Sequence, residues 1–191
     1  MSPILGIYAS QISGHLFGPT GAYDSIATVV ASGSSATLQF TSIPSTYTHL
    51  QIRGIVKSTT AGSSLTDATL TFNSDTSSSY TRHILYGNGS SALAFGGTAG
   101  AAWSIGASDV PTAGYTSMFG AQVIDILDYA NTSKNKTVRA LTGADVNGAG
   151  TVALSSTVFL KTTAISTIEL GMPSGNFASG TTYALYGIRG N

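Results

Sequence analysis

Phe119-Gly-Ala-Gln-Val-Ile-Asp-Ile-Leu-Asp128, Thr137-Val-Arg-Ala-Leu-Thr-Gly143 and Thr151-Val-Ala-Leu-Ser-Ser-Thr-Val-Phe-Leu160 are three runs rich in aliphatic and β-branched residues, and their reading decides the fold. The first is followed by Tyr129-Ala-Asn-Thr-Ser-Lys-Asn-Lys136, a turn whose short polar side chains bond to their own backbone. Between the second and third lies Asn147-Gly148, the pair that most readily takes φ > 0 at both centres of a type I′ turn. Residues 137–160 therefore predict a hairpin. In 119–128 the apolar residues are so dense that both faces of the strand are expected to be largely covered. The stretch holds no nucleophile with a base, no cluster of metal ligands and no phosphate loop.

Composition sets the frame around this centre. A chain of 191 residues suffices for one domain that buries roughly 70% of the surface its unfolded form exposes. Charged residues make up 8%, against about 25% in an ordinary soluble domain. Hydrophobic residues reach 42%, which separates the chain from disordered sequences. Eight basic and eight acidic residues leave no net charge, so nothing attracts a nucleic-acid backbone or an anionic membrane. With no cysteine, disulfides, thiolate metal sites and cysteine nucleophiles are absent together. A neutral surface rich in Ser, Thr and Gly suits a subunit held inside a larger assembly.

Residues 1–23 read as an N-terminal arm and 24–191 as a single domain. The arm lacks the basic start and unbroken apolar run of a secretory signal, and Gly and Pro interrupt it too often for a membrane span. Its apolar residues Ile4, Leu5, Ile7, Tyr8, Ile12, Leu16 and Phe17 need a surface to lie against, on this domain or on a neighbouring subunit. Further on, 25–30 and 36–43 read as a second hairpin across a Ser/Gly loop. Residues 49–57 alternate with Leu50, Ile52 and Val56 on one face and Gln51, Arg53 and Lys57 on the other. Strands are expected over 68–73 and 80–86, the latter closed by Asn88-Gly89, and again over 164–170 and 181–189. From Ser90 to Met118 the pattern loosens into Gly, Ala and Ser around Phe95, Trp103 and Tyr115. A connection that long is usually functional, and these three aromatics are candidate subunit contacts. About ten short strands without helical periodicity predict an all-β protein, an antiparallel β-sandwich of jelly-roll-like type.

Chemical sites are sparse. Asp125 and Asp128 are the closest-spaced carboxylates, yet three residues apart on a strand they face opposite sides, which does not suit a glycosidase pair. Asn73-Ser-Asp75-Thr76 offers oxygens to Ca²⁺ but reads first as a turn. His15, His49 and His83 show no metal-ligand spacing. Gly148-Ala-Gly150 lies in a hairpin, with no helix to receive a dinucleotide phosphate. Asn88-Gly-Ser90, Asn131-Thr-Ser133 and Asn135-Lys-Thr137 fit the glycosylation pattern and also read as turns. Tyr80, Tyr86, Trp103, Tyr115 and Tyr129 fall in or beside loops, where a sugar ring stacks on an aromatic face. No catalytic residue, metal or cofactor is expected.

Four blocks carry a resemblance: Phe40-Thr-Ser-Ile-Pro-Ser-Thr-Tyr-Thr-His-Leu-Gln-Ile-Arg53, Phe72-Asn-Ser-Asp-Thr-Ser-Ser-Ser-Tyr80, Val123-Ile-Asp-Ile-Leu-Asp-Tyr-Ala-Asn-Thr-Ser-Lys-Asn-Lys-Thr-Val-Arg139 and Tyr183-Ala-Leu-Tyr-Gly-Ile-Arg189. In this order they resemble a widespread family of small structural proteins of tailed bacteriophages, over Tyr23 to Arg189. The resemblance implies a non-enzymatic virion component. The leading expectation is a capsid decoration or cement protein, a homotrimer that contacts the major capsid protein. The alternative is a tail-fibre or baseplate module that binds host-surface carbohydrate.

Overall fold

The structure, a computed structural model, describes residues 21–190, and these form strands without any helix. In chain order the strands are β1 (Tyr23–Val30), β2 (Thr37–Phe40), β3 (His49–Val56), β4 (Leu65–Thr66), β5 (Thr69–Phe72), β6 (Tyr80–Gly87) and β7 (Ala92–Gly100), followed by β8 (Trp103–Ser104), β9 (Val110–Pro111), β10 (Gly120–Leu127), β11 (Lys136–Asp145), β12 (Gly150–Phe159), β13 (Ile168–Gly171) and β14 (Thr182–Ile188). The expected arm falls almost wholly outside the described residues, and with it Ile4, Leu5, Ile7, Tyr8, Ile12, Leu16 and Phe17.

Residues 119–160 become β10, β11 and β12, neighbours in one sheet and in sequence order. Asn147 and Gly148 take φ of 60° and 106°, as a type I′ turn requires. A Cβ at position 148 meets no neighbour, but φ of 106° strains any L side chain, so Gly148→Ala is expected to cost about 1–2 kcal/mol in urea unfolding.

Two antiparallel sheets face each other across the core. The wide one has the order β1-β14-β3-β10-β11-β12-β6-β7 and the narrow one β2-β13-β5-β8, while β4 and β9 form a separate ribbon. Strands β1-β14-β3-β10 and β2-β13-β5-β8 make a set of eight that changes sheet at every connection except β5 to β8, a jelly-roll-like connectivity. The pairs β6-β7 and β11-β12 are inserted into that set and widen one sheet only.

Period-two burial builds the core. Leu50, Ile52, Ile124, Ile126, Val138 and Leu185 point inward from the wide sheet and meet Phe40, Leu70, Phe72, Ile168 and Leu170 from the narrow one. Phe72, Tyr80 and Phe159 form an aromatic group with centroids 5.0–6.1 Å apart. The Tyr80 hydroxyl accepts from Phe72 N at 2.8 Å.

Two sequence expectations need correction. The 25–30 and 36–43 segments are not a hairpin: β1 pairs with β14 and β2 with β13. The linker turns a corner between sheets, held by Ala31 N to Thr181 O and Met172 N to Ala36 O, each 2.9 Å. Gly and Ser permit a corner as readily as a tight turn. Residues 90–118 are also no loose connection, since they contain β7, β8 and β9. The part after β7 folds back over the inner face of the wide sheet's overhang. Ile105 N bonds Ala68 O at 2.9 Å, Ser155 Oγ donates to Ile105 O, and Ala107 packs with Ile84 and Ala153.

Candidate interaction surface

The inward set of side chains on each strand of the wide sheet leaves an outward set, and register aligns these into rows across strands. One row runs Val123, Leu141, Leu154, Leu85 through β10, β11, β12 and β6. The next runs Ile55, Ala121, Gly143, Val152, Gly87 from β3 to β6. Ile55, Leu85, Leu141, Val152 and Leu154 are all more than half exposed, and Val123 is 37% exposed. With strands ~4.8 Å apart and same-face rows ~6.8 Å apart, the band covers about 300 Å² of flat sheet. The largest exposed apolar patch on a protein is often a contact site.

A polar row borders the band: Gln51, Asp125, Arg139, Ser156, His83. Gln51 Nε2 donates to Asp125 Oδ1 at 2.8 Å, Arg139 Nε to Asp125 Oδ2 at 3.0 Å, and Arg53 Nε to Gln51 Oε1 at 2.8 Å. Arg53 also lies over the Tyr23 and Tyr186 rings, at 5.5 and 5.4 Å. Band and rim meet at an open depression of about 640 Å³ lined by Leu85, Ala94, Leu154, His83, Arg139 and Ser156. An apolar centre with a fixed polar border is the anatomy of a protein contact.

This surface corrects the reading of 119–128. Only the inner face of β10 is covered, by Ile124 and Ile126, while Ala121 and Val123 are exposed. The outward apolar residues are visible in the sequence, but sequence alone does not show whether a core or a partner covers them. Their signal was the density itself, which exceeds what one covered face needs.

Of the candidate contacts, Phe95 is exposed on β7 at 38% and Tyr115 is half-buried in the loop after β9, its carbonyl accepting from Lys57 Nζ. Trp103 is fully buried, paired through β8 to Leu70 of β5. It is a core residue and not a subunit contact. Among the proposed sugar-stacking aromatics, Tyr80 and Tyr129 are likewise buried, Tyr129 donating to Pro44 O. Tyr86 remains half-buried, edge-on to Phe95 at 6.0 Å.

The carboxylates serve local structure. Asp128 is bound by Lys134, whose contact holds its carboxyl below the usual range, with His49 Nδ1 at 3.5 Å. In the 73–76 turn, Asn73 Oδ1 accepts from Ser166 N and Thr167 N at 2.9 and 3.1 Å. Asp75 Oδ1 accepts from Ser77 N at 2.8 Å. Among the described residues no three His, Cys, Asp or Glu side chains gather as metal ligands.

One acidic group differs. Asp109 is wholly buried beneath the wide sheet, where its Oδ2 accepts from Gln122 Nε2 at 2.5 Å and Gln122 Oε1 accepts from the Tyr183 hydroxyl at 2.8 Å. Its Oδ1 and Thr142 Oγ1 are buried with no hydrogen-bond partner among the described residues. Gly106 makes room for them: a Cβ there would lie 2.6 Å from Oδ1 and 2.3 Å from Oγ1. Burial pushes the Asp109 carboxyl up to about 7, with Asp67 adding to the rise.

The fold and surface define an antiparallel β-sandwich with an exposed apolar face. No protein-family model and no curated protein matches this chain.

Proposed function

We propose that this chain is a non-enzymatic structural protein of a tailed-bacteriophage virion, a decoration protein that stabilises the capsid through subunit contacts. The observation that carries the adhesive role is the outer band of the wide sheet. Five large aliphatic side chains, each more than half in solvent on a flat face, call for a partner surface. The origin in a virion rests on the resemblance of the four sequence blocks. In this reading the protein is a homo-oligomer that also touches the major capsid protein, and the arm's apolar residues add a second attachment. The fibre alternative is weaker, because it depended on loop aromatics and Tyr80, Trp103 and Tyr129 lie in the core.

Counting this chain on purified particles tests the reading. Copy numbers on the scale of the capsid lattice are expected, and particles lacking the chain should lose resistance to heat. A few dozen copies, with loss of adsorption on removal, would replace the decoration role with the fibre role. The band is tested separately by Leu141→Lys with Leu85→Lys, two sites that are not opposite each other in the sheet. Both sites are exposed, so stability should stay within about 0.5 kcal/mol. Occupancy on particles should fall at least about tenfold, since two charges would be buried without partners. Unchanged occupancy would remove the band from the contact.

A further inference from the structure

We propose that two copies of this chain join edge to edge through β7, antiparallel about a two-fold axis at Ala94. β7 ends the wide sheet, and among the described residues no strand pairs with its far side. An open edge is a template for another strand, and proteins that must avoid pairing protect it with charge, proline, a bulge or short length. β7 has nine residues, Ala-Leu-Ala-Phe-Gly-Gly-Thr-Ala-Gly, none charged and none proline. Its one irregularity falls between the Arg82–Gly97 and Tyr80–Gly100 pairs, which leaves Ala92–Gly97 in unbroken register with β6.

The other sheet ends differ. β1 carries a bulge between Ser25 and Ala27, and its Asp24 is tied to Arg189 at 2.6 Å. At the edges of the narrow sheet, β2 has four residues and β8 two. Among these edges only β7 offers six consecutive residues, Ala92–Gly97, in unbroken register and without charge.

The sequence of β7 selects a second copy as its partner. In an antiparallel pair, residues directly opposite point to the same side of the sheet. An axis through Ala94 therefore sets Leu93 against the partner's Phe95 on one face, twice. On the other face it sets Ala92 against the partner's Gly96, twice, and Ala94 against the partner's Ala94. Large apolar meets large, small meets small, and β7 itself brings no charge to the axis, the nearest being the Arg82 guanidinium over the Phe95 ring at 5.0 Å. Leu93 and Phe95, now 42% and 38% exposed, would gain aromatic–aliphatic cross-strand neighbours. Because the axis is perpendicular to the sheet, the outer bands of both copies stay on one side and become a single face. This pairing goes beyond the decoration role and stands without it, since it concerns the chain alone.

Sedimentation of the purified chain tests the pairing. Even-numbered assemblies are expected at concentrations of about 100 μM. Ala94 is exposed, so Ala94→Lys and Ala94→Asp should each fold, which circular dichroism checks. Each variant alone places like charges directly opposite and should raise the dissociation constant at least about tenfold. An equal mixture of the two should restore assembly. Hydrogen exchange on the unaltered chain gives a second readout: alternate amides of Ala92–Gly97 should gain protection as concentration rises. Absence of even-numbered assembly up to about 1 mM, assembly indifferent to either charge, a mixture that stays apart, or exchange independent of concentration would each overturn the proposal.

Discussion

Asp109→Asn is expected to flatten the fall in stability between about pH 4 and pH 7 and to leave the variant more stable than the parent at pH 8. The unfolded chain releases this proton near the ordinary value of 3.8, whereas the folded chain holds it until about 7. Between those values the folded state binds more protons than the unfolded one, so stability declines as pH rises. Below the window the contribution is complete, and above it the contribution is gone. A gap of about three pKa units corresponds to roughly 4 kcal/mol. Asparagine stays neutral, accepts from Gln122 Nε2 through its Oδ1, and offers donors toward the unpartnered Thr142 Oγ1. Urea unfolding of both proteins across this range measures the effect as a difference, which cancels the opposite acid-side contributions of Asp75 and Asp128. Parallel curves for parent and variant would show that Asp109 ionises freely in the folded protein.

Trp103→Ala is expected to lower stability by about 3–5 kcal/mol, the range for removing a buried aromatic side chain. Trp103 is completely inaccessible, and it anchors β8 against Leu70 and thereby closes the end of the narrow sheet. Its indole Nε1 has no partner among the described residues, so Trp103→Phe should recover much of the loss. Denaturant unfolding ranks the three proteins. A loss below about 1 kcal/mol for alanine would place the ring at a surface, as the sequence reading had it.

The contrast between those two positions shows what the sequence made legible. Strands with clear alternation or dense apolar runs, such as 49–57 and 151–160, were visible because side-chain direction repeats every two residues. Turns with Asn-Gly were visible because few pairs accept φ > 0 twice. Sheet membership was not, because the Ala31–Ala36 linker has the same composition whether it reverses the chain or carries it across the core. Trp103 looked like an isolated anchor since its neighbours Ala101, Ala102 and Gly106 show no period. Its burial depends on β5, more than thirty residues earlier. β7 was missed for a related reason: Gly and Ala have low strand propensity, and pairing with β6 overrides it. The outer band was in plain view as Val123, Leu141 and Leu154. Alternation tells which side chains share a face, but not whether that face meets its own chain or another.

β14 lies between β1 and β3, although both precede it by more than 120 residues in the chain. While the ribosome is still adding residues before Thr182, the first and third strands have no common neighbour, and the wide sheet exists in two pieces. The edge of β3 that β14 will occupy waits open until those residues are made, alongside exposed aliphatic rows. Termination before Thr182 would therefore remove a seam from the middle of the sheet and leave an aggregation-prone fragment.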